Sequence, residues 1–117
     1  MSTAAHEFFE SYAKSLLARD ADAIADSYAV PALILFPGRS IAVSDRAQTR
    51  DFFTAAFAQY AGVSEARPEV ESVAATDHSI WADVTWHYDT QPPERNMYQL
   101  IADGDTWKIA VLTPLTL

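Results

Sequence analysis

The chain has 117 residues, half of them apolar, with three Trp, five Tyr, six Phe and no cysteine. That length and apolar fraction fit one folded domain over residues 1–117 and exclude a disordered chain, while the missing cysteines exclude disulfides and thiolate metal sites. Sixteen acidic against eight basic residues give a formal charge of −8, which repels phosphate backbones and anionic lipids, so neither a nucleic acid nor a membrane is an expected partner.

At the N-terminus, His6, Glu7 and Glu10 precede any apolar run, unlike the start of a signal peptide, so a cytoplasmic location is expected. Ala5, Phe8, Phe9, Tyr12, Ala13, Leu16 and Leu17 then repeat at helical spacing and form one apolar stripe, with Ser2 or Thr3 available to cap its start. After Arg19-Asp20 a short second helix is expected, capped by Asp20, carrying Ile24 and Tyr28 on one face and closed by Pro31. Residues 29–36 are the longest apolar stretch. Pro31 interrupts them, and they fall far short of the ~20 residues that a membrane helix needs.

Residues 32–36 read as a buried strand, Pro37-Gly38 as its turn and 40–43 as a second strand. Asp45 and Gln48 then have the spacing of a capping box. It opens a third helix with the stripe Phe52, Phe53, Ala56, Phe57 and Tyr60, stopped at Gly62. From Glu65 the period changes from helical to alternating. A strand is expected over 69–76 with Pro68 at its start, and another over 80–89. There Ala82, Val84, Trp86 and Tyr88 face one way, and Trp81, Asp83, Thr85 and His87 the other. Strands over 96–102 and 107–115 follow, joined by the hairpin signal Asp103-Gly104-Asp105. Helices segregated from a meander of strands mean an α+β fold.

The order of elements, together with the segment Tyr12-Ala13-Lys14-Ser15-Leu16-Leu17-Ala18-Arg19-Asp20-Ala21-Asp22-Ala23-Ile24, resembles the nuclear transport factor 2-like superfamily, and within it SnoaL-like proteins and ketosteroid isomerases. The resemblance spans nearly the whole chain. It implies a cone-shaped, curved antiparallel sheet wrapped around three N-terminal helices, with a cavity between its concave face and the helices. The isomerases' oxyanion-holding tyrosine on the first helix falls on Tyr12, their general-base aspartate before a proline falls on Phe36, and their second, carboxylic oxyanion donor falls on Tyr98. The acidic residue that SnoaL-like cyclases use near that last position is absent as well. Two phenols therefore stand where donors are implied, and no carboxylate stands where the base is implied.

With faces set by this resemblance, the ligand site is expected at Tyr12, Tyr28, Phe36, Phe53, Val84, Trp86, Tyr88, Tyr98, Val111 and Thr113, with Leu115 beside them. Such a mostly apolar wall with a few hydroxyls suits a small apolar molecule, and packing of the same aromatics into a plain core is the competing reading. His87 and Asp89, with Asp83 two pleats away, could form an acid–base pair or hold a metal, or could be a solvated face; His6 and Glu10 lie one helical turn apart. No HExxH, glycine-rich phosphate loop or Ser/His/Asp set occurs, so no metal and no cofactor are expected. Trp81, Met97, Ile101, Ala110 and Leu112 alternate onto the convex face, an apolar patch that implies a homodimer through the sheet. Two functions follow: a SnoaL-like small-molecule-binding protein, with lyase or isomerase chemistry open, or a homodimeric association module with a residual cavity.

Overall fold

The computed structural model describes residues 3–116. Helix α1 (Thr3–Leu17) and helix α2 (Ala21–Asp26) precede strands β1 (Tyr28–Phe36) and β2 (Arg39–Val43); helix α3 (Arg46–Ala56) runs into a 3-10 turn (Phe57–Tyr60); strands β3 (Ala66–Ala75), β4 (Ser79–Tyr88), β5 (Glu94–Asp103) and β6 (Thr106–Leu115) complete the chain. Ser2, one of the two expected caps, lies outside the described residues, and Thr3, the other, is the first residue of α1. Six strands form one curved sheet in the order β2-β1-β6-β5-β4-β3, every neighbouring pair antiparallel except β1 with β6.

The helical stripe of α1 becomes the centre of the core. Ala5, Phe9, Tyr12 and Ala13 are buried, and the Phe9 ring meets Phe8, Tyr12, Trp86 and Tyr98. Ile24, Ile34, Ile80, Ala82, Val84, Leu100 and Ile109 fill the space between the helices and the concave face of the sheet. Each such large side chain contributes roughly 1.5–3 kcal/mol by leaving water. The capping box of α3 is present: Asp45 accepts from the Gln48 N–H at 3.0 Å, and the Gln48 side chain accepts from the Asp45 N–H at 3.1 Å.

Helix α1 ends in a Schellman motif. The Asp20 N–H donates to Ser15 O and the Arg19 N–H to Leu16 O, both at 3.1 Å, and Arg19 sits in the left-handed region at φ 54°. Glycine is the usual residue there. Here the Arg19 guanidinium donates to four carbonyls instead, those of Leu16, Leu17, Tyr60 and Val63, and so ties α1 to the 3-10 turn.

Four expectations change. Tyr28 does not continue α2; it opens β1, because the chain is already drawn into the sheet, Ser27 O accepting from the Ile109 N–H at 2.8 Å. Pro31 ends no helix. It lies exposed within β1, where the register with β6 shifts between Tyr28 and Leu33, so its missing N–H removes no paired bond, and its peptide bond with Val30 is cis. Pro68, expected at the head of a strand, lies inside β3 opposite Trp86, which an edge strand tolerates.

The fourth change concerns faces. Gln99 pairs with Val111 but Leu100 pairs with Ile109, leaving Ala110 as an extra residue on β6. A bulge of this kind reverses the alternation beyond it. Ile109 and Leu112 consequently both face inward and are buried, whereas Val111 and Thr113, opposite Gln99 and Met97, lie on the convex side. Leu112 was expected outside, and Val111 and Thr113 inside. Among the described residues, no helix is long and apolar enough to cross a membrane.

Candidate functional site

The helices and the concave sheet face leave a cavity of about 690 Å3 between them. Its walls are Tyr12 and Leu16 of α1, Phe36 of β1, Phe52 and Phe53 of α3, and Trp86, Tyr88, Tyr98 and Leu112 of the sheet, with Leu115 at the end of β6. The size falls within the usual range for small-molecule sites, roughly 300–1,000 Å3. Of the residues expected at the ligand site, Tyr12, Phe36, Phe53, Trp86, Tyr88 and Tyr98 are brought together on this wall. Tyr28 stands behind Tyr12, its hydroxyl 2.9 Å from the Tyr12 hydroxyl. Val84 is fully buried in the core, and Val111 and Thr113 face away for the reason given above.

Strand β5 supplies the polar side of the cavity. Alternate residues of a strand share a face, so Glu94, Asn96 and Tyr98 all point inward from it. The Tyr98 hydroxyl oxygen accepts from Trp86 Nε1 at 3.0 Å and from Asn96 Nδ2 at 3.2 Å. No acceptor for its own proton lies among the described residues. At the rim, Glu94 Oε1 accepts from the hydroxyls of Tyr60, at 2.9 Å, and of Tyr88, at 2.8 Å. Every tyrosine of the chain thus lines the cavity or supports a residue that does.

Burial pushes all five phenols up. Tyr98 reaches about 12, despite the opposing pull of the bonds from Trp86 and Asn96. Tyr12 and Tyr28 are raised by burial above all; Tyr60 is raised by burial and then by the Glu94 charge, Tyr88 by burial and then by Tyr60. At neutral pH all five are therefore neutral hydrogen-bonding groups, and none serves as a base. Phe36, where the resemblance implies a base, offers no lone pair.

Glu94, Asn96, Tyr60 and Phe52 were missed in the sequence. Extending the β5 alternation two residues back from Asn96 would have placed Glu94 inside. The outer-face constellation separates into local pairs: His87 Nε2 lies 2.9 Å from Glu69, Asp83 pairs with Arg95, and Asp89 accepts from Ser64 and Glu65. No group of three His, Cys, Asp or Glu is placed to hold a metal among the described residues.

A curved six-stranded sheet packed against three helices, with a cavity between them, defines an NTF2-like fold. The chain belongs to the family described as NTF2-like protein (DUF6841), whose model matches residues 3–116. Among solved structures it is similar to a designed NTF2 protein described as having a long sheet, with TM-score 0.68 and 14% identity over 94% of this chain and 98% of that one. It is also similar to a candidate aromatic ring hydroxylase from Novosphingobium aromaticivorans, with TM-score 0.66 and 17% identity over 97% of this chain and 87% of that one. A third likeness is to a candidate calcium/calmodulin-dependent protein kinase II association domain from Xanthomonas campestris, with TM-score 0.67 and 15% identity over 93% and 82% of the two chains. At these identities the likeness shows the fold alone. No curated protein matches the chain.

Proposed function

We propose that this protein binds a small, mainly apolar ring compound in the cavity, with Tyr98 donating a hydrogen bond to a ligand oxygen. The observation that carries this reading is the unspent Tyr98 proton inside an aromatic wall around about 690 Å3. A purely structural tyrosine would spend its proton on backbone or a neighbouring side chain. Tyr12, Phe36, Phe53, Trp86 and Tyr88 supply the apolar contact, and Tyr28 orients Tyr12. The aromatic substrate class in the description of the Novosphingobium protein agrees with such an occupant. Isomerase-type proton transfer through the position of Phe36 is not part of the reading.

The test is calorimetric titration with neutral steroid-like and phenolic compounds. Binding by at least one, weakened roughly three- to tenfold in Tyr98→Phe, is expected, since one neutral hydrogen bond contributes about 1 kcal/mol. Affinity unchanged by that substitution, or no binding across the panel, sinks the proposal.

A second reading, association of two copies through the convex face, is favoured by the apolar side chains Leu33, Val111, Trp81, Met97 and Ile101 that surround Gln99 there, with Leu33 43% exposed. The Xanthomonas neighbour's description as an association domain points the same way. Sedimentation at micromolar concentration should give a dimer, and Trp81→Glu with Ile101→Lys a monomer. A wild-type monomer there removes this reading.

A further inference from the structure

We infer that the mouth of the cavity recognises the ammonium group of an amphipathic organic cation, through Glu94, Tyr60 and Tyr88; the inference rests on the small-molecule reading above and names the ligand class. Three separate elements converge on one carboxylate. Tyr60 comes from the 3-10 turn, Tyr88 from β4 and Glu94 from the start of β5. Both phenols donate to the same oxygen, Oε1, which fixes the carboxylate's orientation and leaves Oε2 without a partner among the described residues.

Among the described residues, no cation forms an ion pair with Glu94 either. Of the two arginines that line the cavity, Arg95 is held by Asp83 through both its Nε and an Nη, and Arg39 makes no ion pair with Glu94. The rings of Tyr60 and Tyr88 stand 5.5 Å apart, tilted by 53°, and present their hydroxyl edges to the carboxylate. A carboxylate oriented by two phenols, with Oε2 open, fits an alkylammonium, whose N–H groups donate to it. It repels an anion, and it gives a neutral hydroxyl little that water does not. The formal charge of −8 draws a cation towards the same place.

The spacing sets the ligand's form. Asn96 bonds the Tyr98 hydroxyl, so that donor lies near the level of residue 96, two residues along β5 from Glu94. Two residues of strand span ~7 Å. An aromatic body with an oxygen at one end and an alkylammonium at the other bridges this distance.

The test uses a matched set at neutral pH: a hydroxynaphthyl-ethylammonium, its neutral ethanol analogue and its anionic acetate analogue, each titrated calorimetrically. The ammonium should bind about tenfold more tightly than the alcohol, a difference of 1.4 kcal/mol, and the acetate should bind most weakly. Glu94→Gln should abolish the ammonium's advantage over the alcohol. Tyr88→Leu, which removes one of the two donors that orient Glu94, should weaken the ammonium more than the alcohol. An alcohol that binds the wild type as tightly as the ammonium, or a preference that survives Glu94→Gln, overturns this inference and leaves the small-molecule reading standing. No binding by these three together with binding in the neutral panel does the same. Silence across both sets overturns both.

Discussion

Replacing Arg19 by glycine sets two effects of opposite sign against each other. Arg19 occupies a left-handed position at φ 54°, where a side chain costs about 1–2 kcal/mol and glycine costs nothing. Strain alone therefore makes Arg19→Gly stabilising. Against it stand four hydrogen bonds from the guanidinium, to the carbonyls of Leu16 and Leu17 at the end of α1 and of Tyr60 and Val63 across the fold. A bond from a charged donor contributes about 1.5–3 kcal/mol when buried, and roughly half that at this part-buried site, so the four together are worth about 3–6 kcal/mol. Glycine also loosens the unfolded chain, which costs a further ~0.5 kcal/mol. The bonds win: Arg19→Gly should destabilise by about 2–5 kcal/mol, lowering the melting temperature by roughly 10–20 °C in a domain of this size. Urea denaturation followed by tryptophan fluorescence measures it, with Arg19→Asn, which tolerates the left-handed region but cannot reach the far carbonyls, as the control. Arg19→Gly as stable as the wild type, or more so, refutes the balance.

The bulge at Ala110 makes a paired prediction: Leu112→Ala should cost about 2–4 kcal/mol and Val111→Ala under ~1 kcal/mol, and equal costs would mean that β6 keeps an unbroken alternation. Stability should also fall at high pH. The phenols ionise near pH 10 in the unfolded chain, whereas Tyr98 stays protonated to about 12 in the fold. The folded state thus holds the extra proton, and the stabilising contribution, complete below pH 10, declines by ~1.4 kcal/mol per pH unit until about pH 12. A urea midpoint that stays flat from pH 9.5 to about 11.5, with the tyrosines counted by their absorbance, contradicts the burial of these hydroxyls.

The features legible in the sequence were those whose physics is local. The stripe from Ala5 to Leu17, the Asp45–Gln48 capping box and the alternation of β4 each declare themselves within a dozen residues, and their order was enough to point to the fold. What escaped depends on distant partners. Tyr28 has acceptable helical spacing, and only the hydrogen bond between Ser27 and Ile109, some eighty residues on, makes it a strand residue. Arg19 at a glycine position makes sense only beside Tyr60 and Val63. The run from Ile109 to Leu115 is apolar on both faces, so no pattern reveals that Ala110 is unpaired and that Val111 and Leu112 have exchanged sides. Glu94 follows Pro92-Pro93 and reads as loop, yet it is the carboxylate of the cavity rim.

The place of β6 in the sheet has a consequence for how the chain matures on the ribosome. Pairing β1 on one side and β5 on the other, it is the only strand joining the early hairpin of β1 and β2 to the later meander of β3, β4 and β5. It is also the last to be synthesised. Until it emerges, the inward face of β1, with Ile34, has no neighbour on its β6 side, and the N-terminal helices wait beside a sheet in two pieces. Contacts this far apart in sequence slow folding and leave apolar surface exposed while the chain grows. Nascent chains stalled within β6 should therefore engage holdase chaperones, and release of ten more residues should complete cavity and core in one cooperative step.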